Sequence, residues 1–242
     1  MNIKNCEFAL QSYWDDRFRN EEVYDWLCTY DDLKAILQPF LKENSNVLIL
    51  GCGNSSMGFD IQEQFSANVT NIDFSPVVIE NMARKFGNSR IKWICMDILN
   101  MDFDKSSFDL IIDKGTLDCF FVNETSVYDI SKTTCDKMHD LLLNISNLLT
   151  PNGVFISITF APVSTRFKIY GKDDYHWNIT EFDLQSSISF PHHIFIMNKS
   201  TGLSPENRRF LQTINEKANI QDSSRLLLTN DQFLDDLMNI DI

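Results

Sequence analysis

Clusters of basic residues are missing from this 242-residue sequence, which has 21 Lys and Arg against 34 Asp and Glu. The formal net charge is −13, and no run of basic residues is longer than the pair Arg208-Arg209. Because binding to phosphates requires clustered Lys and Arg, this composition argues against a DNA or RNA partner. An acidic surface favours a basic partner, such as a basic protein.

Long hydrophobic runs and paired cysteines are also lacking. No stretch approaches the ~20 apolar residues of a membrane span, and the apolar run near the N-terminus is too short for a secretory signal. The six cysteines form no CxxC pair, so we expect reduced thiols. His192-His193 is an adjacent pair whose side chains would point to opposite faces of a strand. We therefore expect a cytoplasmic protein with no membrane partner and no metal.

Strand-like and helix-like patterns alternate between residues 46 and 160, which predicts a parallel sheet with helices on both faces. The predicted strands are Asn46–Leu50, Val69–Phe74, Ile91–Met96, Phe108–Ile112 and Val154–Phe160. The predicted helices between them are Ser55–Phe65, Pro76–Phe86 and Ser126–Leu149.

The pattern changes after residue 160. Trp177–Leu184 and His193–Asn198 are strand-like with no good helix between them, which predicts an antiparallel hairpin. We therefore expect an α/β fold with a Rossmann-like, doubly wound, mostly parallel seven-stranded sheet and an antiparallel terminal strand. We expect a single domain over 1–242, with an N-terminal helical cap (1–45), a core (46–200) and a C-terminal helical extension (201–242). Further helical patterns lie at Ser12–Arg19, Tyr30–Leu41 and Asp231–Met238.

The first predicted strand runs into a glycine-rich turn, Gly51-Cys52-Gly53-Asn54. Glycine lets the backbone approach a ligand where a Cβ would clash, and such a turn marks the ligand-binding switch point of an open α/β sheet. A dinucleotide fingerprint would place a third glycine at position 56, where this chain has Ser56. The turn therefore favours a nucleoside cofactor without a pyrophosphate.

Acidic residues end the next two strands. Asp73 can accept hydrogen bonds from both hydroxyls of a ribose, because Ser75 is the better cap for the following helix and leaves Asp73 free. Phe74 can lie against an adenine ring. Met96 and Asp97 end the third strand, where Asp97 can accept from the exocyclic amine of adenine.

The fourth strand delivers Asp113-Lys114-Gly115-Thr116-Leu117-Asp118 to the same edge of the sheet. The turn, the two acids and the antiparallel terminal strand together resemble the class I S-adenosylmethionine-dependent methyltransferases. Two segments, YWDDRF at Tyr13–Phe18 and KGTLD at Lys114–Asp118, resemble the methyltransferase-13-like group and, within it, the elongation factor 1-alpha lysine methyltransferases. The resemblance covers residues 12 to 203.

This resemblance implies S-adenosylmethionine as the cofactor and a protein lysine as the methyl acceptor, with elongation factor 1-alpha as first candidate. It implies that Trp14, Phe18 and Trp26 close over the methionine and sulfonium end of the cofactor. Phe18 stands where we would expect tyrosine. The other implied cofactor-binding residues are Gly51, Gly53, Asn54, Asp73, Phe74, Met96, Asp97 and Lys114. Trp14 and Trp26 have a simpler interpretation as packing residues of the N-terminal helices.

Methyltransferases that act on nucleobase amines commonly carry an Asn/Asp-Pro-Pro-aromatic tetrad after the fourth strand, which this chain lacks. A lysine acceptor must lose its proton, and a desolvated aromatic pocket lowers its pKa from about 10.4. Phe120, Phe121, Tyr175 and Trp177 are candidates to line that pocket, and Trp177 could hold a methylated product by a cation–π contact. No catalytic base can be assigned. A small-molecule methyltransferase and a degenerate, non-catalytic binding module remain as alternatives.

Overall fold

The computed structural model describes residues 5–86, 90–127, 129–184 and 192–222. Within them, seven strands form one sheet in the order β3-β2-β1-β4-β5-β7-β6. The strands are β1 (Asn46–Leu50), β2 (Asn68–Asp73), β3 (Ile91–Cys95), β4 (Phe108–Lys114), β5 (Leu149–Thr159), β6 (Trp177–Leu184) and β7 (His192–Lys199). The α-helices are α1 (Gln11–Asn20), α2 (Tyr30–Leu37), α3 (Met57–Phe65), α4 (Pro76–Phe86), α5 (Lys132–Leu148), α6 (Val163–Tyr170) and α7 (Pro205–Asp222).

The strand pairing confirms the predicted fold class. β1 to β5 pair in parallel, whereas β7 is antiparallel to both β5 and β6. From β1 the chain adds β2 and β3 on one side of the sheet, and then crosses over to add β4 and β5 on the other side. The glycine turn after β1 therefore lies at the switch point of the sheet.

Two hydrophobic layers cover the sheet, because successive side chains of a strand point to opposite faces. Val47 packs in one layer with Leu33 of α2, and its neighbour Leu48 packs in the other with Leu141 of α5. All four side chains are fully buried or nearly so. A continuous apolar run such as β1 is therefore what this doubly covered position requires.

Several predicted helix boundaries need correction. α2 ends at Leu37 rather than Leu41, since the chain tightens there into a 3-10 turn that contains Pro39. α5 begins at Lys132 rather than Ser126, because the Ser131 hydroxyl caps it by accepting the Thr134 N–H at 3.3 Å.

The helix α6 was not predicted, and α7 lies in the expected helical extension (201–242), for which no helix bounds were predicted at this place. α6 follows Pro162 directly and α7 begins at Pro205. α6 starts with β-branched residues and carries a buried arginine, Arg166, so its sequence shows no helical apolar stripe. The helix predicted at Asp231–Met238 lies outside the described residues. None of the described helices is both long enough and apolar enough to cross a membrane.

Candidate functional site

The glycine turn and the KGTLD segment are packed against each other at the carboxyl edge of the sheet. Gly51 has φ +55°, and a Cβ at this position would lie 2.3 Å from Oγ1 of Thr116. The Thr116 hydroxyl lies 3.0 Å from the Leu50 carbonyl oxygen and 3.1 Å from that of Gly51. Only glycine fits at position 51, because the KGTLD segment packs directly against the turn there.

Asp73 lies beneath the glycine turn with its side chain almost fully buried. Its Oδ2 accepts the Gly53 N–H at 3.0 Å, and its Oδ1 accepts the Ser75 N–H at 2.9 Å. Burial raises the pKa of Asp73 to about 6. Ser75 caps α4 as expected, because its hydroxyl accepts the Val78 N–H at 3.4 Å, but Asp73 is not free of protein contacts, since it accepts two backbone N–H groups. Each carboxylate oxygen still keeps a second lone pair for a ligand.

The end of β3 adjoins the end of β2. The Met96 N–H donates to the Asp73 carbonyl at 2.9 Å, and the side chains of Phe74 and Met96 are both half-buried. Asp97 is exposed, and its Oδ1 accepts the Leu99 N–H at 2.9 Å at the start of a 3-10 turn. The structure therefore brings the predicted ribose and adenine residues to one place, with Asp97 also serving as a turn residue.

Residues 11–29, here called the lid segment, lie over this edge. The ring of Trp14 stacks on Phe18 with centroids 5.6 Å apart and meets Trp26 edge-on at 5.8 Å. Phe18 is buried, and its ring lies 3.7 Å from the position that a Cβ of Gly53 would take. The three aromatic residues predicted from the resemblance thus form one cluster that touches the glycine turn.

Polar contacts fasten the lid segment to the strand ends. Lys114 at the end of β4 donates to the Asp25 carboxylate at 3.2 Å and to the Trp26 carbonyl at 2.9 Å. The hydroxyl of Ser55 donates to the same Asp25 carboxylate, and Asn54 donates to the Glu21 carboxylate at 3.1 Å. The ammonium of Lys114 therefore holds the lid segment, which leaves its carbonyl for the predicted cofactor contact.

Besides Asp25, three charged residues of the lid segment were missed by the sequence analysis. Asp15 accepts from the Ser75 hydroxyl, and the Arg17 guanidinium pairs with Glu21 at 3.0 Å. Arg17 also lies 4.8 Å from the centroid of the Trp26 ring. The density of charges inside the aromatic segment YWDDRF was the available signal, because charges among buried rings need partners.

Two buried polar atoms beside the glycine turn have no hydrogen-bond partner in the part of the chain that the structure describes. They are the acceptor Oδ1 of Asn54 and the donor Nε1 of Trp26. Unpaired buried groups of this kind call for a ligand or a water. The amino-acid end of S-adenosylmethionine carries an ammonium donor and a carboxylate acceptor, so these atoms match it in kind.

Part of the predicted acceptor pocket is wrong. Tyr175 and Trp177 are fully buried in the hydrophobic core, at the start of β6 and thus at the opposite edge of the sheet. Trp177 donates to the Tyr170 carbonyl at 2.8 Å, and the Tyr175 hydroxyl bonds to His139. Neither ring can reach a substrate at the carboxyl edge, which removes the proposed cation–π site.

His192 and His193 point to opposite faces of the sheet, as predicted, because they are consecutive residues of β7. The structure nevertheless brings Glu181 and Asp183 to His193, a grouping that the sequence analysis did not foresee. Nδ1 of His193 lies 2.8 Å from Asp183 and 3.3 Å from Glu181. These contacts account for the cluster as a histidine–carboxylate interaction, and the absence of a metal stays a prediction.

Comparison with known proteins gives the chain its family. A family model described as a methyltransferase domain matches residues 41–216. EEF1A lysine methyltransferase 4 from Mus musculus is 32% identical over 205 residues, which is 83% of this chain and 80% of that protein. The chain belongs to the S-adenosylmethionine-dependent methyltransferases. The predicted cofactor and the predicted enzyme class are thereby confirmed.

Two further similar proteins are a much longer relative and a solved structure of low sequence identity. The eEF1A lysine and N-terminal methyltransferase of Xenopus laevis is 33% identical over 159 residues, which is 64% of this chain and 22% of that longer protein. The solved N-methyltransferase NodS of Bradyrhizobium japonicum WM9, in complex with S-adenosylhomocysteine, has a TM-score of 0.57. That match covers 79% of this chain and 98% of NodS at 17% identity, so it shows the shared fold.

Proposed function

We propose that this methyltransferase transfers a methyl group from S-adenosylmethionine to a lysine side chain of translation elongation factor 1-alpha (eEF1A) or a similar basic protein. The observation that carries the proposal is the relation, over most of the chain, to an enzyme named as an EEF1A lysine methyltransferase. The net charge of −13 supports it, because an acidic enzyme attracts a basic protein.

Roles follow for the residues at the carboxyl edge. Asp73 would accept the ribose hydroxyls, and Phe74 and Met96 would border the adenine, whose amine Asp97 would accept. Gly51 and Gly53 allow the backbone to approach the cofactor.

The amino-acid end of the cofactor would meet the lid segment. Oδ1 of Asn54 would accept its ammonium group, and Nε1 of Trp26 would donate to its carboxylate. Trp14 and Phe18 would close this end from water, while Lys114 keeps the lid segment in place.

When bound, the cofactor would supply a methyl group on a sulfonium, whose thioether is a leaving group that needs no acid catalysis. The protein has to hold a neutral lysine nitrogen in line with that methyl group and exclude water. The aromatic cluster of the lid segment and the half-buried Phe120 and Phe121 provide apolar surface at the same edge. Desolvation there favours the neutral amine, which is the nucleophile.

The wider assignments belong to the same proposal. The chain would form a single methyltransferase domain, with residues 1–45 as cap, 46–200 as core and 201–242 as extension. It would act in the cytoplasm, where an elongation factor works, without a nucleic acid, a membrane or a metal as partner.

Incubation of the enzyme with radiolabelled S-adenosylmethionine and a whole-cell protein extract tests the proposal. We expect label on a protein that comigrates with eEF1A, and none when the Asp73→Ala variant replaces the enzyme. Label that enters only the small-molecule fraction would instead identify a small-molecule methyltransferase. Binding of S-adenosylhomocysteine without any labelled acceptor would identify a non-catalytic binding module.

A further inference from the structure

A buried ion pair lies at the carboxyl ends of β4 and β5, outside the proposed cofactor shell. Asp118, the last residue of the KGTLD segment, accepts from the guanidinium of Arg166 in α6, and the side chains are 6% and 1% exposed. The Thr159 hydroxyl at the end of β5 donates to the same Oδ1 of Asp118 at 2.5 Å. Nε of Arg166 in turn donates to that hydroxyl at 3.3 Å.

The pair is incompletely satisfied. Among the described residues, Oδ2 of Asp118 and Nη1 of Arg166 are buried without a hydrogen-bond partner. The ring of Phe121 lies over the guanidinium at 4.0 Å and separates it from solvent. A buried ion pair with free polar atoms is costly, because each charge has lost its water. Unpaired buried atoms of this kind call for a partner, which is either a water or a polar group of a ligand.

The pair lies next to the glycine turn, at the same edge of the sheet as the proposed cofactor site. Asp118 is two residues from Thr116, which contacts the Gly51 carbonyl at the glycine turn. Its neighbour Cys119 lies 3.9 Å from the Gly115 carbonyl and within electrostatic range of Asp73. The ion pair therefore sits on the side of the glycine turn that faces β5, and Asp73 on the side that faces β3.

We propose that Oδ2 of Asp118 accepts a hydrogen bond from the acceptor lysine nitrogen, and that Arg166 prevents this carboxylate from trapping the lysine as an ammonium ion. The inference rests on the proposed lysine methyltransferase function and names the residues that orient the acceptor. A lone carboxylate would favour the charged lysine, which has no lone pair for attack. With Arg166 beside it, Asp118 offers an acceptor atom without an uncompensated negative charge.

The reaction balances with these groups. A neutral lysine nitrogen donates one N–H to Asp118 and directs its lone pair at the methyl carbon. As the N–C bond forms, the electron pair of the C–S bond stays on sulfur, which gives S-adenosylhomocysteine and a methylated ammonium. That ammonium then loses its proton to water.

Other titratable groups lie around the pair and affect its charges. Asp113 of β4 lies nearby, and burial raises its pKa to about 7. Burial also raises the pKa of Tyr170 on α6 and of Cys119. His193 on β7 lies across from Thr159 and faces its carboxylate partners on β6. None of them contacts Oδ2 of Asp118 by a hydrogen bond in the described part of the chain.

Two variants with opposite expected effects test the proposal on the labelled eEF1A assay over a range of pH. In Asp118→Asn, Arg166 and Thr159 hold the amide oxygen, so an NH₂ donor replaces Oδ2 and kcat/KM falls about a hundredfold. The uncompensated Arg166 charge also moves the pH of half-maximal rate downward. In Arg166→Met, the negative charge of Asp118 is no longer compensated, so it stabilises the ammonium and moves that pH upward by about one unit.

Controls separate this role from a structural one. Arg208→Met breaks a solvent-exposed arginine–aspartate pair with Asp173 at the opposite edge and should leave rate and pH profile unchanged. S-adenosylhomocysteine affinity, measured by calorimetry, should stay at the wild-type value in both Asp118→Asn and Arg166→Met. Shifts of both variants in the same direction, or parallel loss of cofactor affinity, would show that the pair only supports the fold.

A double variant covers the case in which a single change prevents folding. Asp118→Asn combined with Arg166→Met removes both charges, which buried pairs often tolerate. We expect a folded protein with a pH profile like the wild type and a rate lower by about a hundredfold. A wild-type rate would overturn the inference. If the wild-type enzyme binds S-adenosylhomocysteine but methylates no lysine, the proposed function itself has failed.

Discussion

Replacement of Asp73 by asparagine changes one carboxylate oxygen while keeping the shape of the side chain. Both oxygens accept backbone N–H groups, from Gly53 at 3.0 Å and from Ser75 at 2.9 Å. Whichever way the amide turns, its NH₂ faces one of these donors. We therefore expect a loss of about 1–3 kcal/mol in the free energy of unfolding, from one unsatisfied buried group.

The same substitution should also weaken the binding of the cofactor product. A hydrogen bond from a ribose hydroxyl to a charged carboxylate contributes about 1.5–3 kcal/mol. Loss of one such bond lowers the affinity for S-adenosylhomocysteine at least about tenfold, since about 1.4 kcal/mol corresponds to a factor of ten.

The pH dependence gives a second, independent readout. Because burial raises the pKa of Asp73 to about 6, most of the free enzyme carries a protonated carboxyl at this position below that pH. Wild-type affinity for S-adenosylhomocysteine should rise as the pH increases through about 6 and then level off, whereas Asp73→Asn should show no such rise. Isothermal titration calorimetry at several pH values measures both quantities.

A matched control is available at the other end of the sheet. Asp109 also accepts a backbone N–H, from Asn46 at 2.9 Å, but at the amino edge. Asp109→Asn should cost stability and leave affinity unchanged. If a folded Asp73→Asn protein binds S-adenosylhomocysteine as tightly as the wild type, Asp73 is only a residue of the turn and the ribose assignment fails.

Three further outcomes follow from the structure. Gly51→Ala should lower the free energy of unfolding, measured in urea, by about 2–5 kcal/mol, because the new Cβ would lie 2.3 Å from Thr116. Gly53→Ala should lower it by only about 1–2 kcal/mol, because the nearest atom is 3.7 Å away. Equal losses would refute the packing argument. Lys114→Met should release the lid segment, seen as faster proteolysis of residues 15–30 and weaker S-adenosylhomocysteine binding; protection at the wild-type level would show that the lid segment holds without it. Burial raises the pKa of Asp113 to about 7, so its contribution to the free energy of unfolding is complete below about pH 4 and is lost towards pH 7 by at most about 1.4 kcal/mol per pH unit; urea unfolding at several pH values should show a smaller fall for Asp113→Asn.

The cofactor half of the site was the part most open to sequence reasoning. An apolar strand that ends in Gly51 and Gly53 specifies a turn, and strands of parallel topology bring Asp73 and Met96 to the same edge. These inferences need only the apolar pattern that identifies the strands and the parallel direction in which they run. The residues of the lid segment were found by resemblance, since nothing in their own pattern places them on the sheet.

The remaining errors have physical causes. From the sequence alone, Tyr175 and Trp177 fit a substrate pocket as well as they fit the core. The strand pairing decides between the two, because it puts the start of β6 at the edge of the sheet opposite to the cofactor site. Lys114 was placed at the correct edge, but its partner Asp25 is 89 residues away, and no local pattern predicts such a pair. The helix α6 was missed because its buried arginine is matched by Asp118, a contact that only the folded chain creates.

Tandem mass spectrometry of eEF1A after incubation with the enzyme and S-adenosylmethionine tests the central claim most directly. We expect methyl groups on a lysine side chain of eEF1A, no gain when that lysine is replaced by arginine, and no gain with the Asp73→Asn enzyme under limiting cofactor. The yield should also fall as salt rises, because encounter with a basic partner is screened over about 8 Å at physiological ionic strength. An unmodified eEF1A, with an enzyme that binds S-adenosylhomocysteine and methylates only free metabolites, would contradict the account.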